Sequence, residues 1–355
     1  MNDTIIPRIR IIPVIILALT ASLICSITGC AEKSLSPASA NRDSGFTRSG
    51  FCFDTLVTIT IYDPDGEKLL DECFDMCSYY ESLLSMTVSE SDISRINEAD
   101  AGIPVTVSSD TIDFIEASLR YYKESDGRLD ISVAPLTQLW TGARNLGTPP
   151  AGDTVASLIP DIGSDKLSYD RSNLTVTKKE RSLMLDPGAL GKGYVADRLK
   201  DMLKEHGVRS AIISLGGNIL TIGSRPDGSS FRIGIKQPFT ENSAIAASLK
   251  IKDRSVVTSG TYERYFIYNG ELYHHILDTA TGYPVKTDLV SATVISDSSL
   301  DGDALSTICL LYGLNKADEL IENTPGVEAV FITEDGKLHY TEGAAYYLES
   351  EFTGQ

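Results

Sequence analysis

Between Phe53 and Tyr62 the chain alternates apolar with hydroxyl-bearing positions, and this two-residue period predicts a half-buried strand. The period then changes. Leu69, Leu70, Cys73, Phe74, Cys77, Tyr80, Leu83 and Leu84 recur at helical spacing and predict a long amphipathic helix. A second helix is expected from Ser109, as its cap, to about Ser125, with Ile112, Ile115, Leu119 and Tyr122 on one face. Asp126-Gly127 ends it. Residues 146–165 are rich in Gly, Pro and Asp and read as loop with a short helix. Short strands are expected at 167–169, 174–177 and 183–185, then a helix from about Lys192 to Glu205, closed by His206-Gly207. Strands follow at 210–215, 219–223, 231–236, 246–251, 265–268, 273–277 and 290–295, and helices at about 304–312 and 317–323. Asn269-Gly270 and Asp335-Gly336 are hairpin turns.

Strands fill the middle of the chain without regular βαβ alternation, so the fold class is α+β: one compact domain over residues 51–355, with a mixed or antiparallel sheet and flanking helices. The composition excludes several functions. Of 355 residues, 31 are Lys or Arg and 49 are Asp or Glu, a net charge of −18 that disfavours nucleic acid as a partner. Any phosphate-bearing ligand then needs a local cation to offset the field.

Residues 1–29 form an address. Arg8 and Arg10 precede an uncharged apolar stretch from Ile11 to Ala31 that contains Pro13. It ends in Ile27-Thr28-Gly29-Cys30, which resembles the bacterial lipobox, with Cys30 as the lipidated residue. Residues 30–50, rich in Ser, Ala and Gly, then read as the lipidated N-terminus and a flexible tether. The expected location is outside the cytoplasmic membrane, anchored to it by lipid.

Cys52, Cys73, Cys77 and Cys309 form no CxxC pair, and the four histidines lack zinc-motif spacing, so buried free thiols are expected. There is no GxGxxG after a strand, no HExxH and no GxSxG; Gly188–Gly193 lacks the spacing of a phosphate-binding P-loop. Other constellations remain. Asp186-Pro187-Gly188-Ala189-Leu190-Gly191-Lys192-Gly193 opens onto a helix, where backbone N–H groups and Lys192 favour an anion, or where a tight strand-to-helix connection is needed. Gly216-Gly217 is either a close backbone approach to a ligand or a sharp bend. Thr258-Ser259-Gly260 is another small-residue turn, and His274-His275 precede Asp278 as an acid/base candidate or as structural rings. Asp303 and Thr307 stack on one helical face, an oxygen pair suited to a hard cation; singly, an Asp at a helix N-terminus reads equally as a favourable dipole contact.

In this order, together with Phe53-Asp54-Thr55, Ser91–Asn97 and Gly127–Val133, these segments resemble the ApbE family of FAD:protein FMN transferases over most of the chain. The resemblance implies an enzyme that uses FAD and Mg²⁺ to move FMN onto a Thr or Ser hydroxyl of a target protein, releasing AMP. It implies metal ligation by Ala189 (backbone carbonyl), Asp303 and Thr307. Flavin-nucleotide contacts fall to Phe53, Arg128, Leu129, Asp130, Asp186, Lys192, Thr258, Ser259, Gly260 and His275. His275 is the expected base, with Asp278 and His274 as rivals. Implied acceptors are flavin-carrying subunits of membrane redox complexes of the Rnf and sodium-pumping NADH:quinone reductase kinds. An FAD-hydrolysing lipoprotein without an acceptor, or a non-enzymatic lipoprotein receptor, are the alternatives. Two positions depart from the family pattern: Phe53-Asp54-Thr55 stands where many members have Met-Gly-Thr, and Thr87 stands where many have an aromatic residue, with Tyr79 or Tyr80 as possible substitutes.

Overall fold

The computed structural model describes residues 45–240 and 244–351, all within one compact unit. Residues 1–44, which include the stretch read as an address, Cys30 and most of the stretch read as a tether, lie outside the described residues. Among the described residues, no helix is long and apolar enough to cross a membrane.

In chain order the elements are β1 (Phe46–Cys52), β2 (Thr55–Ile61), α1 (Gly66–Leu84), α2 (Asp92–Glu98), β3 (Val105–Thr106), α3 (Ser109–Glu124), α4 (Ala134–Leu146), α5 (Gly152–Leu158), β4 (Leu167–Asp170), β5 (Thr175–Lys178), α6 (Gly191–Glu205), β6 (Ser210–Leu215), β7 (Asn218–Gly223), β8 (Phe231–Lys236), β9 (Ile245–Ile251), β10 (Ser255–Gly260), β11 (Phe266–Tyr268), β12 (Glu271–Tyr273), β13 (Leu289–Ser296), α7 (Ser299–Tyr312), α8 (Leu314–Glu322), β14 (Glu328–Thr333), β15 (Leu338–Tyr340) and β16 (Leu348–Glu351). The main sheet is antiparallel, in the order β1-β2-β6-β7-β10-β13-β14-β15.

Both faces of that sheet are covered. One packs against α1, α6 and α7 around Val57, Ile59, Ile213, Leu220 and Val294. The other meets the small sheet β8-β9-β16 through Val256, Ile295 and Val330 against Phe231, Ile233 and Leu249. Every residue of β13 is therefore buried, its hydroxyl residues Ser291, Thr293 and Ser296 along with the apolar ones. Helix α7 is buried almost throughout, against β10 and β13. A third cluster, Leu136, Trp140, Ala143, Val155 and Leu277, joins α4 and α5 to the segment after β12.

The structure corrects five expectations. Helix α3 is capped by Ser108, whose hydroxyl accepts the Thr111 N–H, and Ser109 is its first residue rather than its cap. Strand β1 begins at Phe46, inside the stretch read as tether, because its inward side needs only Gly50 and the Arg48 guanidinium lying over the Phe74 ring of α1. The expected strand at Phe53 starts instead at Thr55. Phe53 and Asp54 both have φ of 54° and form the tight turn that joins β1 to β2. Residues 183–185 make no strand; only an isolated bridge between Val133 and Met184 remains. The strand expected over 273–277 stops at Tyr273, and Leu277 bridges Pro284 alone. Asn269-Gly270 turns the β11–β12 hairpin as expected, and Gly216-Gly217 proves to be the bend of the β6–β7 hairpin. Cys52, Cys73, Cys77 and Cys309 are buried free thiols, and burial pushes all four above the ordinary thiol range, Cys73 and Cys77 to about 12.

Candidate active site

Two helices meet at the site. Gly193, in the first turn of α6, donates its N–H to Asp303 Oδ2 of α7 at 2.8 Å. A Cβ at Gly193 would collide with the Ser299 carbonyl and come within 2.8 Å of Leu300 Cα and Asp303 Cβ, so only glycine lets α6 rest on α7 here. Those neighbours are mostly backbone and cannot rotate away. Gly193→Ala is accordingly expected to destabilise the protein by about 1–3 kcal/mol. Thermal unfolding would show this as a lowered midpoint, and an unchanged midpoint would contradict the packing described.

Asp303 is 3% exposed. Burial raises its pKa, and the Lys192 ammonium, 3.7 Å from Oδ1, and the Gly193 N–H oppose that rise. Lys192 Nζ also donates to the Gly188 carbonyl at 3.1 Å. One turn further along α7, Thr307 Oγ1 and Ser306 Oγ donate to the Asp303 carbonyl at 3.2 and 3.1 Å. Ser259, at the end of β10, brings its hydroxyl within 2.9 Å of Ser306 Oγ and 3.3 Å of Thr307 Oγ1. Thr258 is instead committed across the sheet, its hydroxyl 2.9 Å from that of Thr293. Gly260 lets the Tyr262 ring fold back over the strand end.

The loop entering α6 is bent on itself. Asp186 Oδ1 accepts the Gly188 N–H at 2.8 Å, and the Pro187 carbonyl accepts the Leu190 and Gly191 N–H groups at 3.0 and 2.8 Å. Because the Gly193 N–H turns to Asp303, no backbone hydrogen bond among the described residues reaches the Ala189 carbonyl. That carbonyl, the Asp303 carboxylate and the lone pairs of Thr307 Oγ1 are all hard oxygen donors. The residues present therefore fit a hard divalent cation. Among the described residues no group of three His, Cys, Asp or Glu side chains offers a site, so a cation here depends on a carbonyl and a hydroxyl beside the single carboxylate.

His275 lies on the loop after β12, half-buried, with Nδ1 2.9 Å from the Glu263 carbonyl. A carbonyl only accepts, so Nδ1 carries the proton and Nε2 keeps its lone pair. Burial first, then the neighbouring Arg264 guanidinium, pull its pKa down to about 4, with Lys192 adding to the effect. His274 is buried, its Nδ1 accepts the Ile276 N–H at 3.3 Å, and burial lowers it to about 4 as well. Asp278 closes a turn: its Oδ1 accepts the Ala280 N–H at 2.9 Å and its carbonyl the Gly282 N–H at 2.8 Å.

Arg128 Nη1 donates to the Leu311 carbonyl at 3.3 Å and its guanidinium lies over Tyr312. With Tyr273, Asp278, Tyr283 and Lys316 it lines a cleft of about 670 Å³. Leu129 is buried, and the Asp130 carboxylate is consumed internally by the N–H groups of Ser132 and Ser164, at 2.7 and 3.1 Å, and by the Ser164 hydroxyl. Asp130 thus ties Ser132 to Ser164. Phe53 sits at the β1–β2 turn with its N–H on Glu81 Oε1 at 2.7 Å. Thr87 is exposed just past α1, and the Tyr79 and Tyr80 hydroxyls are both directed at Asp110, at 2.8 and 3.3 Å.

Sequence reasoning did not find Asp197. From α6 its half-buried carboxylate accepts the Ser298 hydroxyl and the Ser299 and Leu300 N–H groups at 2.8–3.0 Å, capping α7. The sequence signal is Ser298-Ser299 before a helix, but their partner lies about a hundred residues upstream.

An antiparallel α+β body whose two helix N-termini converge on one buried carboxylate, a lysine and three hydroxyls is built to hold a charged phosphate-bearing ligand. The comparisons give this class a family. The ApbE family profile matches residues 53–331. An FAD:protein FMN transferase of Klebsiella pneumoniae is 35% identical over 291 residues, covering 82% of this chain and 90% of the relative. One of Treponema pallidum is 28% identical over 348 residues, covering 90% and 91%. Among solved structures, the ApbE protein of Thermotoga maritima superposes with a TM-score of 0.77 at 25% identity, covering 86% of this chain and 100% of that one. The apo flavinyl transferase ApbE of Pseudomonas stutzeri does so with 0.76 at 28%, covering 87% and 98%. The chain belongs to the ApbE family.

Proposed function

We propose that this chain is an FAD:protein FMN transferase that moves FMN from FAD to a Thr or Ser hydroxyl of an acceptor protein and releases AMP. The observation that carries the reading is the junction of α6 and α7, where the Gly193 N–H and Lys192 both face Asp303. The acceptor oxygen forms a bond to the FMN phosphorus, the anhydride P–O bond breaks, and the bridging oxygen leaves with AMP. Such transfers depend on charge neutralisation and positioning more than on covalent help. A bound Mg²⁺, held by Asp303, Thr307 and the Ala189 carbonyl, would neutralise charge on the pyrophosphate. Lys192 adds a fixed cation. His275, with Nδ1–H held by Glu263, presents Nε2 to take the proton of the acceptor hydroxyl. His274 is a poorer base because its Nδ1 lone pair is occupied, and the Asp278 carboxylate closes its own turn.

We further propose lipidation at Cys30, placing the enzyme outside the cytoplasmic membrane. Its acceptors would there be flavin-carrying subunits of Rnf or sodium-pumping NADH:quinone reductase complexes. The support is the sequence Ile27-Thr28-Gly29-Cys30 and the family pattern. The test uses the full-length chain in detergent micelles with FAD, Mg²⁺ and an acceptor domain bearing a Ser/Thr-Gly-Ala-Thr site. Intact mass and AMP release are followed. An acceptor mass gain of one FMN is expected. AMP without a gain would favour the hydrolase reading, and neither AMP nor FAD binding would overturn both.

With Thr87 exposed and both nearby tyrosines engaged by Asp110, this part of the site offers no aromatic platform. Thr87→Tyr is expected to tighten FAD binding by about tenfold, within the roughly 1–3 kcal/mol that base–aromatic stacking contributes. Fluorescence titration with FAD checks it, and an unchanged affinity would mean that residue 87 does not face the bound nucleotide.

A further inference from the structure

Residues 183–186 lead directly into the Asp186–Gly193 loop, yet no neighbouring strand holds them. Two side chains do most of that work. Lys178, at the end of β5, is 1% exposed and points its ammonium at three backbone carbonyls: Asn97 at 2.6 Å, Arg181 at 2.9 Å and Leu183 at 3.0 Å. All three of its donors are thereby used. Burial lowers its pKa. Among the described residues it has no carboxylate partner within ion-pair distance, unlike Lys68, Lys204 and Lys337. Asn97, on α2, grips Leu185 from both sides of its backbone. Its Nδ2 donates to the Leu185 carbonyl at 3.0 Å and its Oδ1 accepts the Leu185 N–H at 2.7 Å. The next residue, Asp186, gives its N–H to the Ile131 carbonyl at 2.6 Å.

A buried ammonium without a counter-charge is a costly way to join a loop to a helix. An apolar residue of similar volume and a paired strand would serve stability as well. What this arrangement adds is a fixed backbone position one residue before Asp186. From there the chain reaches the Ala189 carbonyl and Lys192 within seven residues.

We propose that Asn97 and Lys178 are positioning residues for the transfer site: together they set the Asp186–Lys192 loop at the height where the Ala189 carbonyl and Lys192 meet Asp303. Neither touches the ligand. The inference rests on the FMN-transferase reading, because the loop matters only if a nucleotide and its cation bind there. A misplacement of about 1 Å at such a site can cost on the order of a hundredfold in rate.

The test compares full-length Asn97→Ala, Asn97→Gln and Lys178→Met with the unmodified chain. Three readouts are taken: thermal midpoint, FAD affinity as a function of Mg²⁺ concentration, and AMP release. For Asn97→Ala the expected result is a roughly tenfold higher half-saturating Mg²⁺ for FAD binding and a tenfold to hundredfold slower AMP release, at a temperature well below its unfolding midpoint. Asn97→Gln keeps both hydrogen-bonding groups on a longer stem and is expected to recover part of the loss. Lys178→Met should behave like Asn97→Ala. If it fails to fold, the asparagine pair decides alone. A merely structural role would lower the midpoint while leaving the Mg²⁺ requirement and the AMP rate of the folded protein unchanged, and that result would overturn the proposal. Absence of FAD binding by the unmodified chain would instead overturn the transferase reading, so the two failures are distinguishable.

Discussion

Asp303→Asn is expected to reduce FMN transfer by about a thousandfold or more while leaving the fold intact, on the scale seen when a charge-stabilising group is removed from an acyl- or phosphoryl-transfer site. Asparagine keeps an oxygen for the Gly193 N–H, now bonded at 2.8 Å, and fills the same space. What it lacks is the charge that faces Lys192 and any bound cation. The stability expectation has the opposite sign. Burial raises the Asp303 pKa above its ordinary range. A carboxylate so raised contributes stability at pH values below its unfolded pKa and loses it as pH rises through the folded value. At neutral pH, in metal-free protein, the buried carboxyl group is therefore a burden, and the asparagine variant should unfold at the same temperature or higher. Asp303→Ala should lose as much activity and also leave the Gly193 N–H without an acceptor, at a cost of about 1–3 kcal/mol. Calorimetry without metal, paired with the acceptor-labelling assay, measures both sides. Near-normal transfer by Asp303→Asn would remove this carboxylate from the mechanism.

That opposition between activity and stability explains which parts of the site could be read from the sequence. Asp303 and Thr307 are four residues apart on one helix, so their shared face follows from helical geometry alone. The glycine-lysine turn before α6 was visible for the same local reason. The partners that make these residues a site are not local. Gly193 meets Asp303 across 110 residues, Ser259 meets Thr307 across 48, and Asp197 caps α7 across about a hundred. Periodicity carries no information about such pairings. The sheet order shows the same limit: β10 lies between β7 and β13, with β8 and β9 diverted into another sheet, and each strand's alternation is indifferent to its neighbour.

The misread elements have particular causes. Residues 183–185 have strand-like composition, but Asn97 and Lys178 supply the hydrogen bonds that a strand partner would have made. Strand β1 was hidden because an edge strand with Ser, Arg and Gly resembles a tether; its apolar support comes from the Phe74 ring of α1. Helix α4 went unread although Pro135 stands in its first turn and Gly147 closes it in the left-handed conformation. Its burial is carried by a few positions, Leu136, Trp140 and Ala143, too sparse for a clear repeat.

The pH dependence of transfer should identify the base. An ordinary imidazole loses its lone pair as pH falls through about 6.5, and a general base so placed would give an acid limb there. His275 differs, because burial and the Arg264 and Lys192 cations disfavour its protonated form and bring its pKa down to about 4. The sign follows directly: a lowered pKa extends the neutral, proton-accepting form to lower pH. The acid limb of kcat/KM should therefore lie below pH 6, displaced toward 4. His275→Gln should lower transfer by about 10²–10⁴-fold, the usual contribution of a positioned general base. The amide can still donate to the Glu263 carbonyl, now 2.9 Å from Nδ1, so the loop after β12 should keep its place. Arg264→Gln removes one of the two cations that lower His275 and should move the acid limb upward; combined with His275→Gln, it should leave the residual rate flat with pH. Arg264 also has a φ of 48°, a conformation that glutamine tolerates no worse than arginine, so the swap changes charge with little change in backbone strain. Rate profiles of the unmodified chain, the two single variants and the double variant from about pH 3.5 to about pH 8, with about 10 as the fold-range to resolve, separate the candidates. If the limb stays in place when Arg264 is replaced, or if His275→Gln retains it at full rate, the proton goes elsewhere and His274 or Asp278 must be reconsidered.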